Sequence, residues 1–283
     1  MPLANSLTKA FNQTLFTIAC EPPIRLLARW ILRRVKAPLP VKSFWDAADY
    51  PQYLFGVLKA AQFARAQGLT RIAVAEMGCA GGRGLLAMAR HAQDLARHFG
   101  IDIRVYGFDA GTGLPTFCGD YRDHPDAWKA GDFPMDVDRL RQALPANTQL
   151  VIGNVEDTVA PFLRDELDCP LGFVAFDLDL YSSTRAALRI VEQLGERDLL
   201  RVPLYFDDLG YDWSHRRAGE PLAIEEFNRE NDAIIIEQWL HASAARPFHE
   251  APWLKRFFLA HNLAKISKSQ LVGEANRVHD LAY

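Results

Sequence analysis

Phe176-Asp177-Leu178-Asp179-Leu180-Tyr181 and Tyr205-Phe206-Asp207-Asp208-Leu209 place four carboxylates in two short segments, each just after an apolar run. Side chains two apart on an extended chain share a side, so Asp177 and Asp179 can converge. If the two runs are neighbouring strands, Asp207 and Asp208 join them at one edge. Carboxylates this close repel one another, which raises a pKa or recruits a cation. Oxygen ligands suit Mg²⁺ or Mn²⁺ rather than zinc. Two separate helix caps would use the same residues without chemistry.

A second constellation is Glu76-Met-Gly78-Cys-Ala-Gly81-Gly82-Arg-Gly84, directly after the apolar run Arg71–Met77. Glycines there let the backbone approach a ligand, and a following helix offers free N–H groups. Gly82-x-Gly84-x-x-Ala87 fits a dinucleotide pattern, but that pattern begins where the strand ends, and here the turn begins at Gly78. Asp109 closes the next strand, where an acid can accept hydrogen bonds from both ribose hydroxyls of a nucleoside cofactor. Its bland alternative is a turn cap. Gly153-Asn154-Val155-Glu156-Asp157-Thr158 follows the third strand and could equally be a helix cap.

The elements that must position these residues follow from periodicity. Strands are predicted over 71–77, 103–108, 148–152, 172–176, 202–206 and 233–240. Helices are predicted over 53–67, 84–99, 136–144, 158–163, 184–194 and 222–230. Arg256–Leu263 fits either type. Strands alternating with helices indicate a doubly wound, mostly parallel α/β sheet with an antiparallel last strand. Residues 110–135 and 209–221 resist assignment. Both leave strand ends, where open α/β sheets bind ligands. Their aromatic and polar residues (Tyr121, Trp128, Asp132, Phe133, Tyr211, Trp213, His215) suit a hydroxylated ring, or else staple the loops down.

The 283 residues carry 49% hydrophobic and 24% charged side chains, which excludes a disordered or low-complexity chain. The net charge of -3 argues against a general nucleic-acid binder. Cys20, Cys79, Cys118 and Cys169 lie too far apart for a close-spaced zinc or redox pair, and reduced cytoplasmic thiols are expected. Leu15–Cys20 loosely resembles the end of a lipoprotein signal, but Asn12 and Gln13 interrupt the apolar stretch. Residues 1–52 are expected to form an N-terminal helical arm, ahead of a catalytic domain over 53–283. Within the arm, Ile24–Lys36 reads as a helix with apolar and arginine faces. Two uses are open to it: weak contact with an acidic membrane surface, or packing on its own domain with a solvated basic face. The second is the preferred expectation, and Pro38 and Pro40 are expected to end the segment.

Three enzyme types use such acidic edges. A haloacid-dehalogenase-type phosphatase wants a Thr or Val where Tyr181 stands. A metal-dependent glycosyltransferase needs no glycine loop upstream. A metal-dependent methyltransferase uses both features. The segments 107–115 (GFDAGTGLP), 153–158 (GNVEDT), 176–184 (FDLDLYSST) and 206–210 (FDDLG), in this order, resemble the macrocin O-methyltransferase family, over roughly residues 50–265. The glycine loop is similar to the first motif of class I S-adenosylmethionine methyltransferases, whose fold is Rossmann-like. The resemblance implies O-methylation of a hydroxyl on a small acceptor, often a sugar of a natural product, with S-adenosylmethionine and Mg²⁺ or Mn²⁺. It implies cofactor contacts from Glu76, Gly78, Gly81, Gly82, Gly84, Asp109, Asn154, Val155 and Asp177. It makes Asp177, Asp207 and Asp208 metal ligands and Asp179 a ligand or the general base. His215, in a loop over the site, is a second candidate base, with a solvated loop histidine as the preferred reading. Departures are Cys79-Ala80, where the family carries Trp-Arg, and Leu200-Arg201-Val202-Pro203, where it carries a Gly-Gly. A homo-oligomer is expected. Another nucleotide-cofactor enzyme, or a non-catalytic binding protein on the same fold, stands as the alternative.

Overall fold

The computed structural model describes residues 22–211, 214–244 and 246–269. The segment Leu15–Cys20 and Trp213 lie outside the described residues. Ten helices and seven strands are found among those that are described. Strands β1 (Arg71–Met77), β2 (Asp102–Asp109), β3 (Thr148–Ile152), β4 (Leu171–Phe176), β5 (Arg201–Phe206), β6 (Ile234–Gln238) and β7 (Phe257–Asn262) form one sheet, ordered β3-β2-β1-β4-β5-β7-β6. β1 to β5 run parallel, and β7 is antiparallel to both its neighbours. The chain reverses its direction of travel across the sheet between β1 and β4, which is where such sheets bind ligands.

β1 and β4 are buried along almost their whole length because helices cover both faces. An arm of α1 (Ile24–Arg34) and α2 (Leu39–Phe44) leads into α3 (Pro51–Ala66), which packs on β4 and β5. α4 (Arg83–Phe99) follows the glycine loop, α5 (Val137–Ala143) precedes β3 and α6 (Val155–Asp165) follows it. α7 (Tyr181–Ala187) and α8 (Arg189–Glu192) divide what the periodicity predicts as one helix. α9 (Gly219–Glu230) precedes β6, and α10 (Leu263–Lys268) follows β7. β7 settles the ambiguous Arg256–Leu263 as strand: Phe257, Leu259 and Ala260 are buried against β5 and β6.

The first arm helix ends at Arg34, ahead of Pro38 and Pro40 as expected, and Pro40 then sits in the first turn of α2, where a missing N–H costs nothing. One expectation about the arm fails. α1 does not pack its apolar face on the domain, and none of its residues is buried. Two of its arginines, Arg25 and Arg29, turn inward instead. Arg25 pairs with Glu250 at 2.6 Å, and Arg29 lies over the Phe248 ring. The arm is also tied down by a buried ion pair, Arg246 to Asp46 at 2.8 Å, with Arg246 donating to the Ser43 carbonyl as well.

Phe173 sits at the centre of the core. Its ring stacks on Phe257, meets Tyr53 edge-on and fills the space left by Gly56, where a Cβ would lie 2.4 Å from it. Phe173→Ala is expected to cost about 3–5 kcal/mol, seen as a lower urea midpoint at unchanged slope. Gly56→Val should destabilise through overpacking at the same contact.

Candidate active site

Phe176 and Phe206 are register partners at the ends of β4 and β5, and their rings stack at 4.7 Å. The next residue on each strand is an aspartate. The Asp207 N–H donates to the Phe176 carbonyl at 2.9 Å, which carries the pairing one step past the strands. Ligand oxygens of Asp177, Asp207 and Asp208 consequently lie within 4.8 Å of one another. Asp179 joins through its backbone: its N–H donates to Asp208 Oδ2 at 3.0 Å. Asp179 has a left-handed φ of 60°, and the Leu180 N–H closes a tight turn onto the Leu178 carbonyl at 2.6 Å. Aspartate tolerates that conformation better than most side chains.

The glycine loop adjoins this acidic edge. Gly78 has a φ of 84°, and a Cβ there would come within 1.8 Å of the Asp177 carbonyl oxygen. Only glycine lets the turn after β1 pass so close. Gly82 is also left-handed and starts α4. Asp109 shapes the loop: Oδ2 accepts from the Cys79 and Ala80 N–H groups at 2.9 and 2.8 Å, and Oδ1 accepts from the Gly111 N–H at 2.7 Å. Three bonds leave about one of a carboxylate's roughly four acceptor sites for a ligand. Asp109 is therefore a turn-forming residue at least as much as a ribose contact.

A cleft of about 980 Å³ runs from this loop to the acidic edge. Gly78, Asp109, Asn154, Val155 and Asp177 of the expected cofactor set line it, with Asp179, Asp207 and Asp208 at the other end. Gly81, Gly82, Gly84 and Glu76 do not. Glu76 is buried beneath the loop, accepts the Tyr53 hydroxyl at 2.6 Å and leaves Oε2 without a hydrogen bond among the described residues. Burial, against the pull of Tyr53, pushes its pKa up to about 8. The two unassigned loops close over the cleft: Trp128 meets Tyr211 at 5.7 Å and Phe133 at 6.0 Å, and all three line it. His215 is exposed and stands outside the cleft wall, near His124 at 5.5 Å and Tyr121 at 6.2 Å. His215, the alternative to Asp179 as base, thus does not line the cleft with the carboxylates and stands exposed beside the 110–135 segment, in keeping with the preferred solvated-loop reading.

Several site residues carry no motif. Arg256, at the start of β7, donates to Asp207 Oδ1 at 2.7 Å, and the Tyr205 hydroxyl donates to the same atom at 2.7 Å. Tyr205 stands two residues before Asp207 on a strand, so alternation could have shown that the two share a side. Nothing in the spacing points to Arg256. Glu220, fully buried in the first turn of α9, accepts the Asp208 N–H at 2.8 Å. Burial, followed by the Asp208 charge, holds its pKa well above the carboxylate range. Glu220 is thereby a neutral support beneath Asp208.

The donor set fits a hard divalent cation. The Asp177 side chain makes no hydrogen bond to any described residue. Burial first, then Asp208 and Asp207, raise its pKa well above 3.8. The same causes raise Asp179 to about 7. Among the described residues, Arg256 is the guanidinium that pairs with this edge, through Asp207.

No protein-family model matches the chain, and no curated protein matches it. Solved structures do. The calicheamicin methyltransferase CalS11 is 20% identical, covers 85% of this chain and 93% of its own, and superposes with a TM-score of 0.53. The O-methyltransferase NovP is 14% identical over 74% of this chain and 78% of its own, with a TM-score of 0.49. At these identities the likeness is one of fold. The mostly parallel seven-stranded sheet with helices on both faces is the class I methyltransferase fold.

The raised acids give a signed prediction. Asp179 moves from 3.8 unfolded to about 7 folded, so the folded chain holds the extra proton. The contribution of Asp179 to metal-free stability should be fully present below about pH 4 and should be lost as pH rises through about 7. Mg²⁺ should abolish that loss. Asp177→Asn removes one repelling charge, so at pH 8 the metal-free variant should be more stable by roughly 1–3 kcal/mol. Its melting temperature should no longer respond to Mg²⁺. Thermal melts with chelator and with Mg²⁺ check both points.

Proposed function

We propose that the protein is an S-adenosylmethionine-dependent O-methyltransferase acting on a hydroxyl of a small molecule, with Mg²⁺ or Mn²⁺ held by Asp177, Asp207 and Asp208. The observation that carries this reading is one cleft with a close-approach glycine loop at one end and a buried acidic edge at the other. Its position between β1 and β4, on the fold shared with the methyltransferase CalS11, supports it.

S-adenosylmethionine supplies an electrophilic methyl group, and a divalent cation supplies Lewis acidity that lowers the pKa of a nearby hydroxyl. The chain's own residues do the remaining work. Gly78, Ala80, Asn154 and Val155 shape the cofactor end, and Asp109 fixes the loop. Trp128, Phe133 and Tyr211 offer flat faces to the acceptor and cover the cleft, which favours in-line placement. Asp179, poised near neutrality when no cation is present, takes the proton that the acceptor hydroxyl gives up. A C–O bond forms as the C–S bond breaks, and the sulfonium charge is lost with it. The acceptor expected from the motifs is a sugar or a glycosylated natural product.

Calorimetry is expected to show binding of S-adenosylmethionine and its demethylated product that survives chelator, because the loop and the acidic edge lie on different strands. Turnover of a hydroxylated acceptor, found with labelled cofactor, should vanish in chelator and return with Mg²⁺ or Mn²⁺. Trp128→Ala should raise KM for the acceptor about tenfold while leaving cofactor affinity within twofold, as loss of uniform binding does. Binding of a nicotinamide dinucleotide in place of S-adenosylmethionine, or full turnover in excess chelator, would refute the proposal.

A further inference from the structure

α1 shows its apolar side to solvent. At 100° per residue, Arg25, Ala28, Arg29 and Leu32 share the arc that faces the domain. Ile24, Leu26, Leu27, Trp30 and Ile31 share the opposite arc, Val35 follows at the C-terminal cap, and all six are 43–57% exposed. None of the described residues covers them. Arg34 lies in the same arc with its guanidinium 4.0 Å over the Trp30 ring, able to reach away from the apolar stripe along its own stem.

The rim of this stripe is cationic. Arg33, Arg34, Lys36, Lys42 and Arg97 border a groove of about 1130 Å³ between α1, α2 and α4. Its one acid, Asp94, pairs with Arg97, and Arg33 pairs with Asp49 at 3.4 Å. Among the described residues, Arg34, Lys36 and Lys42 have no acidic partner.

We propose that this face docks the protein on an anionic lipid bilayer, with α1 in the interfacial plane. Leu27, Trp30 and Ile31 enter the acyl boundary, while the rim cations meet phosphate oxygens. The geometry is that of an interfacial helix: an apolar arc, a cationic border, and an indole whose polar edge suits the headgroup level. Charge complementarity decides among occupants. A second copy would bring the same cations against these. The remaining lengths of chain carry little negative charge: residues 1–21 hold Glu21 against Lys9, and residues 270–283 hold Glu274 and Asp280 against Arg277. A phosphate-rich surface supplies both the anions and the apolar volume.

The test is flotation of the full chain with phosphatidylcholine vesicles rich in phosphatidylglycerol, and with pure phosphatidylcholine vesicles. Binding to the anionic vesicles, weakening as salt rises, is expected. The double variant Leu27→Glu/Ile31→Glu should partition at least about tenfold less, and Arg34→Glu/Lys36→Glu about tenfold less. Both should melt as the parent does, because these side chains are exposed. Failure of the parent to float with anionic vesicles would overturn the proposal, as would flotation indifferent to both variants. A dimer in sedimentation that Leu27→Glu/Ile31→Glu dissociates would assign the stripe to a second copy and overturn it too. So would strong hydrogen-exchange protection of α1 side-chain neighbours in the free chain that the same variant removes, since the chain itself would then cover the stripe.

Discussion

The parallel register of β4 and β5 forces Asp177 and Asp207 together. Phe176 and Phe206 face one another as partners, so the residues after them must sit side by side, and both carry a negative charge. Asp208 adds a third acid to the same cluster, and Asp179 joins through its backbone N–H, which donates to Asp208 Oδ2. A folded chain reduces the cost of this arrangement in two ways. It can hold protons, which is what the raised Asp177 and Asp179 pKa values express, or it can hold a cation. Much of the surrounding structure supports the edge: Glu220 fixes Asp208 from beneath, Arg256 and Tyr205 orient Asp207, and Tyr211 donates its hydroxyl to Asp208.

The same edge links the two ends of the cleft. The Asp177 carbonyl lies against Gly78, and the Asp177 N–H donates to the Met77 carbonyl at 2.8 Å. Asp177 therefore belongs to the acidic edge through its side chain and to the loop through its backbone. Tyr211 is similarly shared, since its ring meets Trp128 in the cover while its hydroxyl meets Asp208. Tyr211 thus ties the cover of the cleft to the acidic edge.

Most of the sheet was legible in the sequence because buried strands declare themselves as short β-branched and aromatic runs between glycines and polar turns. Arg71–Met77 and Thr148–Ile152 have the expected bounds. The four acids were legible because strand ends in a parallel sheet face one way. Other features depend on contacts remote in sequence. Periodicity shows that α1 has two faces but cannot say which one meets the domain; Phe248 and Glu250, more than 200 residues away, decide that. Glu220 and Arg256 reach the site from elements with no motif of their own. Asp109 stands where a ribose contact is expected, yet it accepts two hydrogen bonds from the glycine loop and one from its own turn, which no spacing reveals. His215 shares a loop with Tyr211, but Tyr211 lines the cleft and His215 stands beside His124 instead.

The central claim is that the acids at the ends of β4 and β5 form one cation site. Crystals grown with Mn²⁺ and the demethylated cofactor, measured at a wavelength where manganese scatters anomalously, test it directly. A single strong anomalous peak about 2.0–2.6 Å from oxygens of Asp177, Asp207 and Asp208 is predicted, lost in Asp208→Asn crystals. A map with no peak at that edge under saturating Mn²⁺, while the cofactor is present in the glycine-loop end of the cleft, would contradict the account.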